Sequence, residues 1–310
     1  MGKKLTLQIR NFFKNDKENM LYFILPSLVG VLVFVLLPLV DVFLKSFQDR
    51  RSGELVGFAN YGDAIHNDAF RLAVENTVKF ELISVPLLMI LSFLISVAVF
   101  HMKSNLVKFA FLIPMAIPSN SVAVIWKVLF ADAGIVNGIL TTVFQTEPIN
   151  FFSGNAVFYL LVGTLVWKNL GYNMLIWLAG LAVIPKEINE AARVDGAGEI
   201  RIMLQMTLPN LKMSTFTVAV LSLVNSFKVY REAYLISGTY PDDHIYMLQH
   251  IFNNWFTKLG IGKMAAGAVL TAVSFFAVLL LMKQLILYER KKKRRKVRKG
   301  KEESGHEANC

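Results

Sequence analysis

Residues 190–198 read Glu-Ala-Ala-Arg-Val-Asp-Gly-Ala-Gly, and the polar, small-residue segment they belong to runs on to Leu208-Pro209 between two apolar runs. So much soluble-looking helix between hydrophobic segments has the character of a docking element held from the water phase. Pro185 suits a first helical position, and Glu187 and Glu190 fall in the early turns, where the helix dipole favours carboxylates. The spacing predicts a helix from Lys186 to about Val194, with Ile188, Ala191 and Ala192 on one face and a flexible turn at Asp195-Gly196. A second helix over about residues 199–207 leads to Pro209, which cannot continue the hydrogen-bond ladder and is expected to force a bend. The expected product is a helix-turn-helix knob.

Composition sets what surrounds this knob. With 310 residues, 55% of them apolar, and a mean hydropathy of +0.48, the chain is too apolar for an ordinary soluble domain and reads as an integral membrane protein. Its single cysteine, Cys310, excludes a disulfide framework and a cysteine-based metal site. The formal charge of +11 comes with a basic block at 290–301 directly after a hydrophobic run, which marks a cytoplasmic flank rather than a nucleic-acid partner. That like-charge block is expected to be disordered and drawn to anionic lipid heads. The uncharged run at 21–40 exceeds a signal-peptide core of about 7–15 residues and is expected to be a retained first span.

Apolar runs near bilayer length occur at 21–44, 78–100, 106–130, 156–182, 213–236 and 264–288; the second and sixth read as clean, and the middle three carry polar residues. The fold expected is an all-α membrane protein with six transmembrane helices over 21–288. Basic flanks then set the orientation. Lys3, Lys4, Arg10, Lys14 and Lys17, Lys103 and Lys108, Lys186, Arg193, Arg201 and Lys212, and the tail all fall on one side, and the loop 131–155 on the other side has no basic residue. Both termini, 1–20 and 289–310, and the loop 183–212 between spans four and five are therefore expected in the cytoplasm.

Glu190-Ala-Ala, then Asp195-Gly-Ala and Leu208-Pro209, at this spacing and in this topological slot, closely resemble the Glu-Ala-Ala coupling loop of permease subunits in binding-protein-dependent ATP-binding cassette importers, in the maltose-type, carbohydrate-importing branch. The matching covers about residues 58–276. By that resemblance Glu190, Ala191, Ala192, Asp195, Gly196, Ala197, Leu208 and Pro209 dock into an ATPase subunit. The resemblance implies a second homologous permease, two cassette ATPases and an extracytoplasmic solute-binding protein as partners, a sugar as substrate, and a bacterial plasma membrane as location. Relatives often carry a further proline where this chain has Met213. No phosphate-cradling G-x-x-x-x-G-K-[ST] stretch, H-E-x-x-H, G-x-S-x-G or histidine cluster occurs, so ATP and magnesium are expected on the partner ATPases and no cofactor in this chain.

Polar residues inside spans are costly unless they face the bundle interior or a wet cavity, so each is a site candidate. Span three has Pro114 and Pro118 followed by Ser119-Asn120-Ser121; span four has Lys168-Asn169 and Tyr172-Asn173 between Trp167 and Trp177; span five has Asn225, Lys228, Tyr230, Arg231 and Glu232. Sugars suit such a lining, because hydroxyls need amide and carboxylate partners and C–H faces stack on rings. Candidates for the substrate pathway are Asn120, Ser121, Asn169, Tyr172, Asn173, Asn225, Lys228, Tyr230 and Glu232; by the resemblance, Asn169, Tyr172, Asn225 and Lys228 match sugar-contacting places. The alternatives are helix–helix packing by Asn and Ser, snorkelling of Lys168 and Lys228 to an interface, and ion pairs or gate contacts for Arg231 and Glu232 near the outer end of span five. The three cations also keep a charged solute such as glycerol phosphate or a peptide in play; a channel or membrane enzyme fits less well.

On the outer side, Met247, Leu248, Ile251, Phe252 and Trp255 recur at helical spacing opposite Gln249, His250, Asn253 and Asn254. That stretch is expected either to lie on the membrane interface or to dip into the mouth of the protein. The segment from Phe58-Ala-Asn60-Tyr61 to Asn76-Thr77 resembles the outer segment that precedes span two in sugar permeases.

Overall fold

The computed structural model describes residues 16–49, 53–102 and 104–307. The basic flanks Lys3, Lys4, Arg10, Lys14 and Lys103 lie outside the described residues. Among those described the chain is helical, with one isolated bridge between Gln48 and Leu55 in place of any sheet.

Two compact units are distinguishable. One comprises the residues up to His66 with Trp255–Thr271. It holds α1 (Asp16–Val31), a π-helical turn (Leu32–Leu36), α2 (Leu37–Lys45) and α3 (Ala59–Ile65). The Ile24–Lys45 stretch is long and apolar enough to cross a bilayer, and none of its most apolar window is buried. Its surface is left for lipid or for another chain. Below it, Phe47 packs edge-on to Phe43 and Phe58 and against Tyr61, while Asn60 donates to the carbonyls of Ser46 (3.1 Å) and Gln48 (3.0 Å). The resembling segment at Phe58–Tyr61 thus works as a strap that satisfies backbone acceptors where α2 ends. A Cβ on Gly262 would lie 2.7 Å from the Asn60 side chain, so that close approach requires glycine.

The other unit comprises Asn67–Asn254 with the residues from Ala272 onward. Its elements are α4 (Asp68–Phe100), α5 (Asn105–Ala110), α6 (Ile113–Ala116), α7 (Ser119–Leu129), α8 (Ile135–Val143), α9 (Gly154–Ala182), α10 (Lys186–Val194), α11 (Glu199–Ile202), α12 (Leu208–Asn210), α13 (Lys212–Lys228), α14 (Tyr230–Ser237) and α15 (Leu248–Thr257). Asn67 caps α4 by accepting the Phe70 N–H at 3.0 Å. The last helix, α16 (Ile261–Glu307), carries the basic block as continuous helix, in contrast to the disorder expected of a like-charge run. Helix formers such as Lys, Arg and Glu dominate that block, and extending an existing helix needs no new nucleus.

Helices α4 and α16 each contain a stretch able to cross a bilayer by length and composition. Two bent pairs pass the same test: Asn105–Ala116 with Ser119–Leu129, bent by 94°, and Glu199–Asn210 with Lys212–Ser237, bent by 76°. The first break falls at Ile117-Pro118, as the paired prolines predict, since Pro118 has no N–H to continue the ladder and Ile117 is extended (ψ 124°). Helix α9 has 29 residues, about 43 Å at 1.5 Å per residue, yet fails the hydropathy test because Lys168, Asn169, Tyr172 and Asn173 lie within it. It is instead packed among α4, α13 and the α5–α6 region, so its polar residues are not lipid-facing.

Two apolar clusters bracket this polar stretch. One joins Val157, Phe158, Leu161 and Leu165 of α9 to Phe80, Ala123, Val229, Ala233, Ile236, Ile245 and Met247; the other joins Trp177 and Leu181 to Leu211 and Val218. Trp177 also donates to Ser92 Oγ at 3.1 Å and lies edge-on to Phe93. Gly171 allows the closest approach: a Cβ there would fall 1.9 Å from the Phe111 carbonyl oxygen. Since the obstructing atom is backbone, Gly171→Ala is expected to destabilise the bundle by about 1–3 kcal/mol, the usual cost of overpacking. Thermal unfolding of the detergent-solubilised protein would read this as a fall in Tm, whereas an unchanged Tm would mean the crossing has slack.

Candidate functional site

Helix α9 brings Thr164, Leu165, Lys168 and Asn169 to one face, spaced one helical turn apart. The α13–α14 segment does the same with Asn225, Lys228, Val229 and Glu232, and Ser119 opens α7 after the proline break. Together with Arg231 these residues line a cavity of about 200 Å³. Of the pathway residues expected from sequence, Asn169, Asn225, Lys228 and Glu232 are brought together here.

Its centre is an ion pair. Lys168, the middle residue of α9, donates to Glu232 Oε1 at 2.6 Å and to Ser119 Oγ at 3.1 Å, and Ser119 donates to the same carboxylate oxygen at 2.7 Å. The Lys168 and Glu232 side chains are only 17% and 6% exposed, so water does little to screen the pair. Lys168 therefore does not snorkel: the centre of a long helix is too far from either end, and Glu232 supplies the counter-charge. Glu232 in turn lies level with the middle of α9 rather than at an outer end, and the expectation of an ion pair for it holds. Lys228 donates to Asn225 Oδ1 at 2.9 Å.

The remaining candidates go elsewhere. Asn173 is fully buried and donates to Ser222 Oγ at 2.7 Å, knitting α9 to α13 as a packing residue. Tyr230 turns to Tyr234 and to the His250 ring, 5.7 and 4.7 Å away. Asn120 and Ser121 are exposed on α7, and Tyr172 is half-buried off the cavity. Sequence reasoning misses Thr164, whose hydroxyl accepts from Trp126 Nε1 at 2.8 Å; its place one turn before Lys168 is the available signal. It also reads span two as clean, although Glu81 lies there and accepts from Ser226 at 3.3 Å.

The knob has the expected local structure. Helix α10 covers Lys186–Val194, with Pro185 as its N-cap rather than its first residue. It ends in a Schellman motif, in which Ala197 N–H bonds the Ala192 carbonyl and Gly196 N–H the Arg193 carbonyl, both at 3.0 Å, with Gly196 at φ +78°. Arg193 and Glu199 pair across the turn at 2.9 Å. Ala192 is buried inside the knob, while Glu190, Ala191, Asp195 and Gly196 are exposed and Ala197, Leu208 and Pro209 are half-buried. The bend does not fall at Pro209. A π-helical turn, Met203–Thr207, precedes α12, and Pro209 lies within α12; the chain bends at Leu211. The wider turn leaves carbonyls without an i+4 partner, which accommodates a residue lacking an N–H.

On the opposite side, Asp242 accepts the N–H groups of Gly154 (2.9 Å) and His244 (3.0 Å), tying the start of α9 to the loop before α15. Asn76 donates to the carbonyls of Asp243 and Tyr246, and Thr77 accepts from Leu248 N–H at 3.1 Å. Helix α15 does not lie exposed on an interface: Met247, Leu248, Ile251 and Trp255 are buried, and so are His250 and Asn254 of its expected polar face. Burial pushes the His250 imidazole down to about 4, and as a neutral ring it accepts the Met247 N–H at Nδ1.

A bundle with a mid-helix ionic cavity, joined to an exposed helix-turn-helix knob, defines a membrane permease subunit. The chain belongs to the family described as binding-protein-dependent transport system inner membrane component, which matches residues 19–287. Among curated relatives, the arabinooligosaccharides transport system permease protein of Bacillus subtilis (strain 168) is 33% identical over 244 residues, covering 73% of this chain and 74% of that protein. The sulfoquinovosyl glycerol transport system permease protein of Agrobacterium fabrum is 31% identical over 252 residues, covering 80% and 82%. A bacterial ABC transporter involved in import of the acidic polysaccharide alginate has a chain of the same fold, with a TM-score of 0.76 at 18% identity over 89% of this chain and 98% of that one.

Two outcomes follow from the geometry. Glu232→Ala strands Lys168 and is expected to cost about 3–5 kcal/mol, with much of it recovered in a Lys168→Met, Glu232→Leu double variant, as measured by thermal unfolding in detergent. The two backbone N–H groups, Gly154 first, hold the Asp242 carboxyl below its ordinary value of 3.8. A carboxylate whose pKa is depressed by folding stabilises above its unfolded value, and that stability fades as pH falls through the folded value. The Tm of the wild type should therefore drop below pH ~4 more than that of Asp242→Asn.

Proposed function

We propose that this chain is one of two permease subunits in an ATP-binding cassette importer that carries a sugar or oligosaccharide from an extracytoplasmic binding protein across the bacterial plasma membrane. The observation that carries the reading is the direct join of knob to cavity. Helix α13 begins at Lys212, two residues after the knob's last helix ends at Asn210, and carries Asn225 and Lys228 into the cavity wall. Its 17 residues make a lever of about 25 Å. A partner ATPase that closes around Glu190, Ala191, Asp195 and Gly196 would move that wall, and ATP with its magnesium belongs to that partner. Coupling of this kind requires that ATPase closure and solute each favour one of two arrangements of the helices.

Six spans with both termini in the cytoplasm are consistent with this arrangement: Ile24–Lys45, α4, the broken α5–α7 pair, α9, α13 with α14, and the apolar part of α16. The names of the relatives, which include permeases for arabinooligosaccharides and for trehalose or maltose, support a saccharide substrate. A neighbour solved in complex with an alginate pentasaccharide-bound periplasmic protein supports a binding-protein partner. A second permease and two ATPases complete the assembly proposed.

Glu190→Lys, on the exposed side of the knob, and Gly196→Val, which puts a β-branched residue at φ +78°, test the coupling. Both are expected to abolish ATP-driven saccharide uptake into membrane vesicles while the subunit stays inserted. Normal uptake by either inserted variant would refute the role given to the knob.

A further inference from the structure

The charges that line the cavity do not balance. Lys168, Lys228 and Arg231 face one carboxylate, Glu232. That carboxylate is already committed, because Oε1 takes the Lys168 ammonium and the Ser119 hydroxyl. Lys228 has a neutral amide oxygen, that of Asn225, as its partner at 2.9 Å. No ion-pair partner for Lys228 or Arg231 is present among the described residues. Two cations three residues apart, on a segment read as membrane-spanning, are costly unless they meet water or an anion. A neutral sugar needs hydroxyl and amide partners and gains nothing from this surplus, while a planar carboxylate or a sulfonate matches the fork of an arginine beside a lysine.

We infer that the cavity selects a saccharide that bears an anionic group, carboxylate or sulfonate, which docks between Lys228 and Arg231 while the Lys168–Glu232 pair holds the wall in place. This rests on the importer reading above and narrows its substrate class. The paired Lys168 has a positioning role; Lys228 and Arg231 make the contact. Asn225, already bonded to Lys228, holds the ammonium in the cavity rather than against lipid.

The test uses cells carrying the full transporter, offered a mixture of neutral oligosaccharides, their uronate counterparts and their sulfonated counterparts, with depletion followed by mass spectrometry. The Glu190→Lys strain defines background. Uptake of uronates or of sulfonates above that background, in preference to neutral members, is the expected result, and the class depleted identifies the anion. Lys228→Gln combined with Arg231→Gln should lower the acidic-to-neutral uptake ratio roughly tenfold, the size of one lost charge-assisted contact. Lys228→Arg should keep it. Depletion of neutral members alone overturns the inference and leaves the importer reading intact, whereas depletion of none overturns both. If the double glutamine variant no longer co-purifies with its second permease, the cations belong to the subunit interface, and the inference falls.

Discussion

A lysine at the centre of a long buried helix has to be matched, and the rest of this molecule is arranged around the match. Lys168 meets Glu232 at 2.6 Å with Ser119 bridging them, so three separate helices must arrive at one point. That requirement explains the proline break before α7, which delivers Ser119 as the first residue of a helix. It also explains why α9 is surrounded by protein: its polar middle would be costly against lipid. The two apolar clusters above and below supply the burial that the polar layer cannot.

The same arrangement links a soluble-looking knob to the interior. Leu211, at the bend, is buried with Trp177, Leu181 and Val218. A Cβ on Gly180 would meet Ser214 Oγ at 2.2 Å, so α9 and the start of α13 are in close contact just beyond the knob. Interfaces packed this tightly shift as rigid bodies rather than deform. A push on the knob therefore has a short mechanical route to the face that carries Asn225 and Lys228. On the opposite side, Asp242, Asn76 and Thr77 hold the loop and α15 to the ends of α9 and α4 by hydrogen bonds to backbone, which leaves that side locally well tied.

Part of the cavity is legible in the residue pattern. Asn169, Asn225, Lys228 and Glu232 announce themselves as polar residues inside apolar runs, and they do converge. Asn173 gives the same signal and is a packing residue, because its amide finds Ser222 on a neighbouring helix. Nothing in the sequence separates these two fates, since both satisfy a buried amide equally well. Glu81 escapes that reading, although a carboxylate inside an apolar run is the strongest form of the signal.

The sequence alone determined the helical, membrane-embedded class, because runs of apolar residues near bilayer length admit no other backbone solution with all polar groups satisfied. It also determined the knob's two helices and their glycine turn, since Gly196 is the residue that accepts a positive φ without strain. Tertiary structure decided the partner of Lys168, the inward turn of Tyr230, the burial of His250 and the place of the bend at Leu211. Each of these depends on which distant residues come within a few ångströms, and helical periodicity reports only which face of its own helix a residue occupies.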